Sequence, residues 1–316
     1  MKLLVTGASG FIGRNLLLAL PKHWEVIATY RNDESFSEFI NRNDLSFVKP
    51  LRIDLCDEQL MSSVEKKFKF YDACVYLAAN GDPDFSEKAP IIDLKKNTLA
   101  LLNTVQNWTF GKFLYFSSGA VYDGLRGDVS PQSFLAPYLP YAISKLASER
   151  YVHHAQRSGK INNSTVVRFF GAYGPYEAPR KIYGRLVQNF GIDKNSKFTI
   201  RGNGQNLIDA MYIDDLIHAV MILLSKTNEE QQTLDLYAGN GVSVESLVRQ
   251  TASIFKINPD IEFIGEVPEF IEFRSNDKRM NQEFGFSPKI SLREGLLKFH
   301  SWIEEQRRYA HIRELS

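Results

Sequence analysis

The sequence predicts an α/β protein, a doubly wound parallel sheet with a smaller α/β lobe attached, on three observations. Short apolar runs alternate with amphipathic stretches of helical period through the first half of the chain. Glycines mark the turn after the first run. Beyond Arg168 the alternation gives way to turn-rich segments between shorter elements, which is where a second lobe is expected.

Taken in order, KLLVTG reads as a strand and FIGRNLLLAL as the helix that follows it. WEVIATY is the second strand, and Asp54, in RIDL, follows the third. ACVYLAA is a strand, DLKKNTLALLNTVQNW a helix and KFLYFSS a strand. YAISKLASERYVHHAQ is again helical and STVVRFF again extended. The strand runs are continuously apolar because a parallel strand under helices is buried on both faces. GAYGPYEAP and RGNGQN then supply turns. Two later segments, AMYIDDLIHAVMILL and TLDLYAG at 233–239, are expected to return to the first sheet. The expected division is therefore a first domain over 1–170, joined by 205–239, with 171–204 and 240–316 forming the second lobe. No fixed-period repeat or low-complexity tract interrupts this pattern.

Composition excludes several classes of function. The chain has 316 residues, 44% of them hydrophobic, enough for a large core. Its 38 Lys and Arg nearly cancel its 37 Asp and Glu, so no strong field draws nucleic acid or an anionic membrane, and neither is expected as a partner. An anionic ligand must be held by local groups. Cys56 and Cys74 are the two cysteines, and both read as unpaired packing residues of a reducing compartment. The opening residues lack the features of a signal peptide, and AVMILL at 219–224 is too short to span a bilayer. A cytoplasmic location is the expectation. His153 and His154 point to different faces of one helix without acidic or cysteine partners at ligand spacing, and His218 lies among apolar neighbours, so no metal site is expected.

Gly7, Gly10 and Gly13 fall between the first strand and the first helix. A tight strand-to-helix turn needs Gly7 for its backbone angles, Gly10 for close approach of a pyrophosphate, and Gly13 for close helix packing. The pattern alone is also that of a glycine-rich turn. The strand before it and the helix after it point to dinucleotide binding on a Rossmann sheet. Near the end of the second strand, where NAD-binding proteins place an acid on the ribose, stands Arg31. A guanidinium there pairs with the 2′-phosphate of NADP, with Arg14 as a second candidate cation. The competing reading leaves Arg31 in solvent and gives the ribose of NAD to Asp33 or Glu34. NADP is the expected cofactor and NAD the alternative. Asp54 is placed to bond the adenine amino group and Leu55 to cover the ring; Asp54 also suits a helix cap.

Three side chains carry chemistry. Ser118 closes the strand FLYFSS, and Tyr141 and Lys145 in YAISK lie one helical turn apart on one face. A tyrosine ionises near pH 10 in water, so proton transfer near neutrality needs a cation beside the phenol. Lys145 supplies it, while Ser118 bonds the reacting oxygen of a substrate.

These motifs resemble the extended short-chain dehydrogenase/reductases, in particular their sugar-nucleotide epimerase and dehydratase branch. The resemblance rests on TGASGFIG, YLAAN, Asn97 in NTLALLNTV, SSGAVY, YAISK, RFFGAYGP, YIDDLIHAV and FGFSPKISLREGLLKFHSWI. It implies Ser118, Tyr141 and Lys145 as catalytic residues, with Phe11, Ile12, Ala78, Ala79 and Asn97 joining the glycines at the cofactor. It further implies hydride transfer between a nicotinamide and a sugar carbon, and a homodimer formed through a four-helix bundle that includes the helix of Tyr141.

Departures from the family pattern narrow the reaction. Dehydratases of this branch carry an Asp-Glu pair after the catalytic hydroxyl, and Gly119 and Ala120 stand here instead, neither able to move a proton. That argues for a 4-keto-sugar reductase or a 4-epimerase acting on a nucleotide-activated sugar, and Arg31 tilts the choice to the reductase. The family's substrate-facing Asn is replaced by Gly171 and an Arg by Ile208. Cations for a diphosphate must come from among Arg180, Lys181, Arg185, Arg201 and Arg274, with Arg180 and Arg201 the expected contacts alongside Gly171 and Ser118. The altered lobe keeps open a reductase of a non-sugar carbonyl compound. A dinucleotide-sensing regulator without turnover has no need of the three proton-transfer residues together.

Overall fold

The computed structural model describes residues 1–65, 69–226, 231–267 and 271–314. Seven strands form the main sheet: β1 Lys2–Thr6, β2 Glu25–Tyr30, β3 Val48–Arg52, β4 Phe70–Tyr76, β5 Thr109–Ser118, β6 Ile161–Phe169 and β7 Gln232–Leu236. They lie in the order β7-β6-β5-β4-β1-β2-β3, every neighbouring pair parallel. The order reverses between β1 and β4, and a doubly wound sheet opens a ligand crevice beyond the carboxyl ends of the strands at that point.

Alternation along β1 sends Leu3 and Val5 to one face and Leu4 to the other, and all three are fully buried. Both faces are covered by helices, which is why the parallel strands read as unbroken apolar runs. On the first face lie helix α1, Phe11–Ala19, and, in chain order after helix α2, Pro140–Arg157, helix α3, Ile213–Ser225. The apolar core of that face continues into the later part of the chain through Tyr173, Leu186, Phe190, Leu216, Val220 and Phe299. α2 packs on the opposite face with Val152 and Ala155 against Tyr76, Trp108, Phe113 and Tyr115.

Thr6 fastens the crevice floor: its hydroxyl oxygen accepts the N–H groups of Leu77 and Ala78 at 3.0 and 3.1 Å, tying the end of β4 to β1. Residues from the later part of the chain, among them Tyr183, Ile208 and Arg274, line the far wall. The segment Glu272–Ser275 runs parallel to Arg126–Val129, and Lys197–Arg201 to Asp260–Ile264. Helix α4, Leu292–Glu314, buries Leu296 and Phe299 against the shared core. No helix among the described residues is long and apolar enough to cross a membrane. Cys56 and Cys74 are both free thiols.

Candidate active site

The glycine turn is built from bare backbone. The Gly7 carbonyl accepts the Gly10 N–H at 3.0 Å, and Gly7 has φ +63°, a conformation costly for any residue with a side chain. A Cβ on Gly7 would stand 2.9 Å from the Ala78 nitrogen, one on Gly10 3.2 Å from the Gly7 oxygen, and one on Gly13 2.6 Å from Ala8 backbone. Gly10 caps α1 with no side-chain bond, so the first-turn N–H groups are left for a ligand. A pyrophosphate fits such a cradle because the turn presents donors and no side chain.

The glycines open onto a cleft of about 690 Å³. Gly7, Gly10, Phe11, Ile12 and Gly13 line it on one side, and Ser118, Tyr141 and Lys145 line it as well. A neighbouring cavity of about 330 Å³ takes in Arg31, Asp54, Leu55, Ala78 and Ala79. The structure thus collects the residues expected at a pyrophosphate and a reacting carbon in one space, and those expected at an adenosine in the next.

Ser118, Tyr141 and Lys145 are each held by their elements. Ser118 ends β5, and its Oγ accepts the Ala120 N–H at 3.1 Å at the start of a short 3₁₀ turn. Tyr141 follows Pro140 at the start of α2, a position where proline suits the first helical residue, and its N–H donates to Ser86 Oγ at 3.1 Å. Lys145, one turn on, is 3% exposed. Its ammonium donates to the Phe116 carbonyl and lies 4.5 Å from the centre of the Tyr115 ring. Burial pushes the Lys145 ammonium down to about 7, opposed by the carboxylates of Glu149 and Asp93.

Behind this surface runs a buried polar ladder. Glu149, a further turn along α2 from Lys145, accepts two bonds from the Arg168 guanidinium at 3.1 and 2.8 Å and one from Ser117 Oγ at 2.6 Å. Arg168 donates to the Tyr122 hydroxyl at 3.1 Å, which donates to Asp235 at 2.7 Å; Ser275 Oγ donates to the same carboxylate at 2.7 Å. Burial raises Asp235 to about 6 despite these donors. The ladder links α2 to the strand that carries Arg274. Its sequence signals were a glutamate on the Tyr141–Lys145 stripe and an arginine within the apolar run STVVRFF.

Residues 3–237 match the model of the NAD dependent epimerase/dehydratase family. The chain belongs to that family. Among its relatives, the dTDP-D-glucose 4,6-dehydratase of Dictyostelium discoideum is 30% identical over 248 residues, a match covering 71% of this chain and 56% of that protein. The UDP-glucuronic acid 4-epimerase of Bacillus cereus, solved with UDP-glucuronic acid and NAD, superposes with a TM-score of 0.84 at 24% identity, covering 97% of this chain and 100% of the other. The UDP-glucose 4-epimerase of Thermotoga maritima, solved with UDP-glucose, gives 0.83 at 22% identity over 97% and 99% of the two chains. These two likenesses are of fold.

Several residues expected at the site of this family member lie elsewhere. Arg180 pairs with Asp82 at 3.3 Å and Arg201 with Asp84 at 3.6 Å, both largely exposed, and neither lines the cleft. Acids on the helix Pro83–Lys88 and its cap draw these arginines away. Lys181 and Arg274 line the cleft instead. Arg185 lies over Phe198, 5.0 Å from the ring centre. Asn97 commits its amide to protein: Nδ2 donates to Asp93 and Ser144 at 2.9 Å each, and Oδ1 accepts the Asn80 N–H at 2.7 Å. Arg14 is bound to Asp33 at 2.7 Å and Ser35 at 3.0 Å and stacks on Phe39 at 4.6 Å, so it is not available to a 2′-phosphate. Gly171 lines the cleft at φ +151°, where a Cβ would meet that of Ala210 at 3.2 Å, so the family's asparagine does not fit this backbone. Glu177, which the sequence did not flag, also lines the cleft.

Proposed function

We propose that the protein is an oxidoreductase of a nucleotide-activated sugar, a 4-keto-sugar reductase or 4-epimerase using Ser118, Tyr141 and Lys145, with NADP(H) as the favoured cofactor and NAD the alternative. The observation that carries this reading is the shared cleft: these three side chains line the same space as the bare glycine turn. A nicotinamide bound there supplies the hydride acceptor or donor. Tyr141 removes the hydroxyl proton of the sugar carbon in one direction and returns it in the other. The Lys145 ammonium stabilises the phenolate left on Tyr141. Ser118 donates a hydrogen bond to the reacting oxygen and fixes its distance from Tyr141.

Gly119 and Ala120 support a reaction without elimination, because removing water from a sugar needs an acid and a base where these residues stand. Arg31 at the adenosine cavity supports NADP(H) and so the reductase. Gly171 and Ile208, both at the cleft, favour as second reading a reductase of a non-sugar carbonyl compound on the same scaffold.

The test is the Tyr141→Phe variant. It is expected to bind NADPH within about twofold of the parent and to lose about 10²–10⁴-fold in turnover of 4-keto-sugar nucleotides. Turnover close to that of the parent overturns the mechanism. Mass spectrometry of the ligand retained through purification separates the reactions: tightly held oxidised NAD favours the epimerase, and protein that consumes added NADPH favours the reductase.

A further inference from the structure

We infer that Arg52 forms, with Arg31, a phosphomonoester subsite at the ribose edge of the adenosine cavity, so that two guanidinium groups from adjacent strand ends select NADP(H). The inference rests on the cofactor reading above and adds to it Arg52, the residue of RIDL for which the sequence alone indicates no role.

β2 and β3 pair in a register that sets Arg52 opposite Tyr30, so Arg31 and Arg52 leave the sheet side by side. Arg52 Nε donates to the Arg31 carbonyl at 3.1 Å, which orients its guanidinium along the strand ends and leaves both terminal nitrogens for a ligand. Arg31, Asn32, Arg52, Ile53, Asp54 and Leu60 line an open depression of about 350 Å³ beside the adenosine cavity. Two cations and one carboxylate face it. The carboxylate of Asp54 is partly engaged, its Oδ1 accepting the Cys56 N–H at 2.9 Å, and its Oδ2 lies 3.9 Å from Arg31. Arg52 has no carboxylate partner among the described residues.

The neighbouring groups are committed elsewhere. Asp33, the acid that would hold a ribose diol, accepts Arg14 at 2.7 Å and the Ser35 N–H and Oγ at 3.0 and 2.7 Å. Asp33 is thus engaged, exposed Glu34 does not line the depression, and the charged groups that do line it, Arg31, Arg52 and Asp54, leave an excess of positive charge. A phosphomonoester carries close to two negative charges at neutral pH and accepts the forked N–H groups of guanidinium. The 2′-phosphate of NADP is the ligand of that chemistry that an adenosine in the adjoining cavity would present.

The full chain is titrated with NADPH and NADH, following nicotinamide fluorescence, in the parent and in Arg52→Ala, Arg31→Ala and the double variant. Arg52→Ala is expected to weaken NADPH about tenfold and change NADH less than about twofold. The double variant is expected to lose the preference for NADPH. Competition by 2′-AMP, 5′-AMP and inorganic phosphate distinguishes the sources of the phosphate, and 2′-AMP is expected to compete best. Arg52→Lys is expected to restore only part of the affinity, since an ammonium lacks the fork. An Arg52→Ala variant with unchanged NADPH binding, or with equal loss for both cofactors at an unchanged unfolding midpoint, overturns the subsite. A parent that prefers NADH overturns the cofactor reading beneath it.

Discussion

Two glutamates near the cleft, Glu149 buried and Glu177 half-buried, meet different fates. Glu149 is 1% exposed but receives three donors, and a buried charge so paired costs little compared with one left alone. Glu177 has one carboxyl oxygen buried with no hydrogen-bond partner among the described residues. Burial pushes it up to about 8, against the pull of Lys181 and the Gly184 N–H. Its folded pKa lies above the unfolded value, so between the ordinary carboxylate range and pH 8 the folded chain holds a proton that the unfolded chain has released. Stability from this residue is therefore present at acid pH and lost as pH rises through that window. Glu177→Gln removes the titration. Urea unfolding is expected to show parent and variant alike near pH 5, with the variant gaining on the parent by about 2 kcal/mol at pH 8. A difference that does not change with pH would show that Glu177 is charged in the folded state.

Among elements, the turn between β1 and α1 sets the closest tolerance. Gly13 lies inside a helix, where alanine is usually better by about 1 kcal/mol. Here the added Cβ would stand 2.6 Å from the Ala8 Cα and oxygen, which belong to the turn itself and have no room to move. Overpacking of this kind costs about 1–3 kcal/mol, so the steric effect outweighs the propensity. Gly13→Ala is expected to lower the unfolding midpoint and weaken dinucleotide binding, as chemical denaturation and nicotinamide titration measure; a more stable variant would refute the packing role. That turn was legible because its constraint is local: strand, glycines and helix adjoin in sequence. The sheet was legible for a related reason, since strands buried on both faces show as apolar runs such as KLLVTG and ACVYLAA. The cations were not. Arg180 and Arg201 turn to Asp82 and Asp84, and Arg14 to Asp33, through pairings between separate elements that no spacing announces. The Glu149–Arg168 pair joins a helix to a strand of the sheet beneath it, and only the stripe shared with Tyr141 and Lys145 hinted at it.

At the scale of the molecule, α2 has two working faces. Ser144, Lys145, Ser148, Glu149 and Val152 are buried on one, whereas Ile143 and Tyr151 are 48% and 41% exposed on another. Beside them, the helical segment that begins at Pro90 exposes Ile91, Ile92, Leu94 and Leu99, with Ile91 at 71%. Single exposed apolar residues are ordinary, but six on two adjoining helices form a patch of the kind that a partner covers. The family resemblance names the partner, a second copy packed helix to helix, and we propose that arrangement for this chain. A self-complementary interface of this symmetry meets its own substitutions twice, so a pair of carboxylates on one copy becomes four in the dimer. Ile91→Asp/Ile143→Asp is expected to halve the mass measured by light scattering at micromolar concentration. The cleft-facing side of α2 is untouched by these changes, so NADPH affinity should stay within about twofold of the parent. A variant that remains dimeric, or a parent that is already monomeric, would place the interface elsewhere or remove it.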